Sequence, residues 1–236
     1  MSLIELGIDL GVLAYDTLSE MVRRAHSDDP SDNLPPTPVN TQNVAEVIAT
    51  AATGYTMSKE GRIELANYEA LANTKYIDSG GVHTIGIGMT VSEIHDLVQW
   101  PWGRFVSTEQ CVKDFNGALV KYEYAVNHAL KVDVTQNQFD ALVSITYNIG
   151  RAGMANSTFM RRLNAKADPK DVVAAVQNWK MDNGKEVKGL KIRRAAEGQV
   201  FLTGHYLNNG TVAQILVNPN THKPSYKGRV NIAQYM

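Results

Sequence analysis

Residues 68 to 88, Tyr-Glu-Ala-Leu-Ala-Asn-Thr-Lys-Tyr-Ile-Asp-Ser-Gly-Gly-Val-His-Thr-Ile-Gly-Ile-Gly, constrain the fold more than any other stretch of this chain. Ile63, Leu65 and Ala66 lead a helical pattern up to Glu69. Asp78-Ser79-Gly80-Gly81 then reverses the chain, because Asp bonds its own turn backbone and Gly accepts positive φ. Thr84 falls in the return strand, Val82 to Ile87, so the spacing predicts a small antiparallel sheet over Tyr76 to Met89. Gly86 and Gly88 let backbone or ligand come close. Position 91 is Val, so these glycines do not form a dinucleotide-binding triplet.

Glu69 and Asp78 supply two carboxyl groups, with the Thr84 hydroxyl beside them. Hydrolysis of a glycosidic bond needs one acid to protonate the leaving oxygen and one carboxylate to activate water or attack the sugar. The residue types suit that reaction. They also suit a surface glutamate, an ordinary hairpin turn and a strand threonine.

Order and spacing narrow the choice. Glu-x8-Asp-x5-Thr-Ile-Gly-x-Gly resembles the active-site segment of the phage-type lysozymes, glycoside hydrolase family twenty-four. The resemblance continues through Gln136 to Gly150, Asn156 to Met160 and Gly189 to Gly204, and covers about residues 58 to 204. It implies an α+β, mostly helical fold with a small antiparallel sheet lobe and a larger helical lobe. It also implies a muramidase that cleaves the β-1,4 bond between N-acetylmuramic acid and N-acetylglucosamine in peptidoglycan, without cofactor. Glu69 matches the family's general acid, and Asp78 and Thr84 complete its catalytic set. Burial would keep Glu69 protonated; Asp78, in a more polar position, would stay ionised with Thr84 holding the water. Thr90, Tyr147 and Ser157 fall where the family contacts sugar, and Arg193 matches an arginine near the catalytic glutamate. Tyr147 equally suits a core helix, and Arg193 a basic surface.

The resemblance favours inversion, although sequence spacing does not give the carboxyl separation that decides it. Two positions depart from the family pattern. Ala70 replaces a common glycine, a change compatible with a helix, and Met89 replaces a common histidine. A lytic transglycosylase, or an inactive lysozyme-fold structural or binding protein of a phage particle or secretion apparatus, are the alternatives. The intact Glu69, Asp78 and Thr84 argue against both.

Three regions are expected. Residues 1 to 57 form an acidic extension with eight acidic residues and only Arg23 and Arg24; the rest of the chain holds 21 basic and 16 acidic residues. A cationic catalytic region would be drawn to an anionic wall. Within the extension, residues 3 to 22 have a helical apolar pattern, and residues 27 to 43 read as a linker with four prolines. Val44 to Thr53 is a short helix candidate. Residues 58 to 204 form the catalytic region, and residues 205 to 236 a hairpin-like or extended tail that either binds wall or a partner or packs on the body.

Capping patterns predict the helices of the middle region. Ser107-Thr-Glu-Gln110 and Thr135-Gln-Asn-Gln138 fit capping boxes. Asp168-Pro169 fits an N-cap with proline at the first helical position, and Gly150 and Gly204 fit helix ends.

The single cysteine, Cys111, rules out an internal disulfide and reads as a buried, inert thiol. No apolar run reaches the ~20 residues needed to span a membrane. Glu5 and Asp9 make the N-terminus a poor secretory signal. The expectation is a monomer made in the cytoplasm, with no nucleic-acid partner. It would reach the wall by holin release, virion delivery or secretion-system injection, with residues 1 to 57 docking to a carrier. The histidines show no metal-ligand spacing, so no metal is expected.

Overall fold

The computed structural model describes residues 54–78, 80–182, 184–207 and 209–236. The expected helix over 3 to 22, the linker over 27 to 43 and the short helix Val44 to Thr53 lie outside the described residues, as does Ser79 in the hairpin turn. The chain divides into two compact units, with described parts 62–118 plus 207–236, and 54–61 plus 119–206. Among the described residues no helix is long and apolar enough to cross a membrane.

In the first unit, helix α1 (Lys59–Glu69) ends at Ala70, whose φ of 59° turns the chain directly into strand β1 (Leu71–Ile77). Ala70 is therefore not helical, contrary to the sequence expectation. It occupies the left-handed position that glycine would fill without strain.

The expected antiparallel hairpin forms between β1 and β2 (His83–Gly86), pairing Tyr76 with Thr84 and Ile77 with His83. The sheet then goes further than the hairpin. Strand β5 (Thr211–Val217) from the tail pairs parallel with β1 at Leu71 and Ala72, and β6 (Pro224–Asn231) closes the order β2-β1-β5-β6.

Ala70, Ala72, Tyr76, Ala213 and Ile215 form one buried cluster, with Val217 packed against it. Polar groups seal the same junction. Leu207 N donates to Glu64 Oε2 at 3.0 Å, and Gln214 Nε2 donates to Asn73 Oδ1 at 2.9 Å. Arg229 donates to Asn67 Oδ1 at 3.1 Å and to Thr211 O. Between the two hairpins in sequence, a loop with a 3-10 turn at Leu97–Gln99 leads to helix α2 (Thr108–Ala129). Ser107 Oγ accepts from Gln110 N at α2's start, but the Gln110 side chain turns to Asp114 instead of completing the box.

The second unit is built round α3 (Gln136–Ile149), whose Phe139, Leu142, Val143 and Ile145 are fully or almost fully buried. Gln138 reaches back to Thr135 N at 2.9 Å, the expected capping contact. Short helices α4 (Arg151–Ala155), α5 (Thr158–Asn164) and α6 (Pro169–Val176) follow, then a small β3–β4 pair (Met181–Asp182, Lys185–Glu186). Asp168 caps α6 by accepting from Lys170 N at 2.8 Å.

Helix α7 (Lys188–Thr203) packs on α3 and ends at Gly204, φ 67°. Asp140 ties the segment before α1 to α3. It accepts from Ser58 N and Oγ and from Tyr206 Oη, and burial followed by this hydrogen bond pushes the Tyr206 phenol up from its ordinary value.

Candidate active site

Glu69, Asp78 and Thr84 all belong to the sheet unit, and each is positioned by a different local device. Glu69 is the last residue of α1 and is 5% exposed. Gly88, φ 69°, lies so close that a Cβ there would stand 2.8 Å from Glu69 Oε2. The turn after β2 thus packs directly against the Glu69 carboxyl group.

Asp78 caps the hairpin turn from within. Its Oδ1 accepts from Gly80 N at 2.7 Å and Val82 N at 2.9 Å, and its Oδ2 accepts from Thr84 Oγ1 at 3.0 Å. Donors aimed at a carboxylate favour its charged form. Asp78 is only 7% exposed, so it is a buried structural residue of the turn and not a solvent-accessible one. The turn role and the chemical role fall on the same atoms.

The Thr84 hydroxyl has one proton, directed at Asp78 or at Val82 O 3.3 Å away. What remains on that oxygen is acceptor capacity.

Around this turn the side chains are cationic and aromatic. Lys75 is 1% exposed and donates to Val98 O at 3.0 Å and Trp100 O at 2.7 Å; burial lowers its amine from the ordinary range. Burial also lowers His83; Lys75 and His222 push the same way and Asp78 opposes. Its buried Nδ1 finds no hydrogen-bond partner among the described residues. Both effects favour a neutral imidazole next to the Asp78 turn.

The other candidates have local roles. Thr90 is in the sheet unit, where its N and Oγ1 both donate to Glu93 Oε2, at 2.9 and 3.1 Å, and its Oγ1 accepts from Ser92 N. Tyr147, Ser157 and Arg193 belong to the helical unit. Ser157 is the N-cap of α5, accepting from Met160 N at 3.0 Å, and is 3% exposed. The half-buried Tyr147 ring lies 4.8 Å from that of Tyr122.

Arg193 is 1% exposed, which excludes the surface-arginine reading. It donates through Nε to Glu197 Oε1 at 2.8 Å and through Nη2 to Ser144 O at 3.1 Å; Arg194 also pairs with Glu197, at 2.9 Å.

Met89 is buried against Gly86, where a Cβ would stand 2.5 Å from its Cε. An apolar side chain therefore fills the place of the family's histidine. Cys111 packs beside it, and burial pushes its thiol up to about 12, so it stays protonated and unreactive. Glu64, a further buried carboxyl group of this unit, accepts from Tyr68 Oη at 2.9 Å and from Leu207 N at 3.0 Å. Among the described residues no group of three His, Cys, Asp or Glu side chains could hold a metal ion.

Sequence reasoning missed the partners supplied by the tail and by Trp102. The turn-rich composition of residues 218 to 225 and the Trp-Pro-Trp run at 100 to 102 were the available signals.

Known proteins resemble this chain in sequence and in fold. An endolysin of Bacillus phage B103 is 35% identical over 156 residues, 66% of this chain and 53% of that protein. An endolysin of Bacillus phage PZA is 31% identical over 184 residues, 76% of this chain and 63% of that protein. The chain thus spans between half and two thirds of the length of these two relatives. Among solved structures, an endolysin from Escherichia coli O157:H7 phage FAHEc1 superposes with a TM-score of 0.58 at 35% identity, covering 65% of this chain and 98% of that one. The muramidase domain of SpmX from Asticaccaulis excentricus gives 0.56 at 30% identity, covering 64% and 99%. The model of the phage lysozyme family matches residues 66–197, a span of more than half the chain within which Glu69, Asp78 and Thr84 fall, so this chain belongs to the phage lysozyme family.

Proposed function

We propose that this chain is a muramidase that hydrolyses the β-1,4 bond between N-acetylmuramic acid and N-acetylglucosamine in peptidoglycan, as its endolysin relatives suggest. One observation supports it above all: one unit buries two carboxyl groups, Glu69 and Asp78, on different elements. Asp78 receives three donors, which favour the carboxylate. Glu69 sits at a helix end, buried against the Gly88 backbone. Asp78 is then the base, and Glu69, at the position that resembles the family's general acid, is the acid.

Glu69 then protonates the leaving oxygen. Asp78 activates water on the opposite face, and the free lone pairs of Thr84 accept from that water. The product is inverted. Thr90 and Tyr147 are each proposed to contact sugar; Ser157 and Arg193 are buried and support the helical unit through Met160 N and Glu197.

Glu69→Gln and Asp78→Asn test the assignment in zymograms and in turbidity assays on purified peptidoglycan. Each should reduce clearing by at least ~100-fold, the scale of general acid–base catalysis. Asn is preferred to Ala at position 78 because its side-chain oxygen can still accept from Gly80 N and Val82 N. Clearing equal to the unaltered protein by either variant overturns that residue's role.

Residues 1 to 57, with eight acidic and two basic residues, are proposed to dock to whatever carries the enzyme to the wall. A pull-down with this segment that recovers no specific partner from lysing host cells counts against docking.

A further inference from the structure

Strand β5 pairs with β1 only at Leu71 and Ala72, so the far end of β1, next to Asp78, is beyond its reach. That end is held instead by the turn between β5 and β6. Ile77 N donates to His222 O at 2.9 Å. His222 has a φ of 56°, a left-handed conformation that a non-glycine residue adopts only when its surroundings enforce it.

Two things enforce it here. Asn218 organises the turn, its Oδ1 accepting from Asn220 N and Thr221 N and its O from His222 N at 2.8 Å. The His222 ring stacks on Trp102, with centroids 3.6 Å apart and planes 8° apart. Trp102 is fixed in turn. Lys75 Nζ lies 4.2 Å from its ring centroid while holding the carbonyls of Val98 and Trp100, and His83 lies 5.3 Å away. These residues lie in one unit, and the tail lies outside the family-matched residues 66–197.

We propose that His222 is a positioning residue for Asp78: stacked on Trp102, it fixes the Ile77–Asp78 end of β1 and so the aim of the catalytic carboxylate. This rests on the proposed role of Asp78. The stack is at the surface, with Trp102 39% exposed, whereas the tail is anchored to the core by Val212, Ala213 and Ile215. Removing the ring should therefore loosen the Asp78 turn while leaving the fold in place.

The test is steady-state kinetics on a soluble peptidoglycan oligosaccharide, with thermal melting of each variant. His222→Ala should lower kcat about ten-fold with KM unchanged, since small misplacements of a reacting group have effects of this size or larger. His222→Phe, which keeps a stacking ring, should recover most of that loss, and Trp102→Ala should reproduce it. Should His222→Ala fail to fold, His222→Asn carries the comparison, because Asn tolerates left-handed backbone without supplying a ring.

Unchanged kcat in the ring-less variants, or a His222→Phe variant as slow as His222→Ala, overturns the inference. Asp78→Asn is measured beside them. If it is inactive while the His222 variants are normal, only the positioning role fails; if it is active, the reading of Asp78 fails first.

Discussion

A methyl group on Gly88 would stand 2.8 Å from Glu69 Oε2, on a backbone with φ 69°. Gly88→Ala therefore combines strain of roughly 1–2 kcal/mol with displacement of the proposed acid. Activity should fall about ten-fold or more, well beyond what the loss of stability explains; melting and turbidity assays on the same preparation check this. Ala70 presents the opposite case. Its φ of 59° carries similar strain, but its methyl is fully buried against Ala72, Tyr76, Ala213 and Ile215. Gly would relieve the strain while losing roughly 0.8 kcal/mol of methyl burial and giving the unfolded chain more freedom. Ala70→Gly should thus change stability by less than about 1 kcal/mol in denaturant unfolding. The Asp78 turn was legible in sequence because its partners Gly80, Val82 and Thr84 lie close along the chain, and the two carboxyls because their spacing resembles a known pattern. Arg193 was not: its i+4 partner Glu197 reads as a surface ion pair, yet both are almost fully buried.

Among the elements, the hairpin β5–β6 changes what counts as the catalytic region. The resemblance stops near Gly204, yet Val212, Ala213, Ile215 and Ile232 are buried, and β5 covers one edge of β1. A chain ending at Gly204 would expose that cluster and leave β1 with an open edge. It would also leave Glu64 Oε2 without the Leu207 amide and Asn73 Oδ1 without Gln214. Such a truncation should lose cooperative melting and lytic activity together; a cooperative, active fragment would show the hairpin to be dispensable. The two strands themselves were readable from Val212 to Val217 and Gly228 to Ile232. Their parallel pairing with β1 was not, because it joins residues about 140 positions apart and leaves no local pattern. The same distance hid Trp102 and His222. Helices α2, α3, α6 and α7, whose caps and periodicity are local, follow the sequence closely.

At the scale of the whole molecule the decisive quantity is the distribution of charge. The net formal charge of −1 combines an acidic first quarter with a cationic remainder. Residues 44 to 236 hold 21 basic and 17 acidic residues, so removing residues 1 to 43 leaves a chain of net positive charge. The proposed catalytic groups all lie between residues 69 and 84, well beyond the removed segment. A protein starting at Val44 should therefore fold and degrade purified peptidoglycan at a rate comparable to the full chain at moderate ionic strength. Its net charge should draw it more strongly to the anionic wall at low salt, and screening over a Debye length of about 8–10 Å should remove that advantage as salt rises. Turbidity assays across a salt series check both parts. A shortened protein that folds by circular dichroism but no longer clears purified wall would place part of residues 1 to 43 in the substrate site. Equal salt dependence of the two proteins would show that the acidic segment does not modulate attraction to the wall.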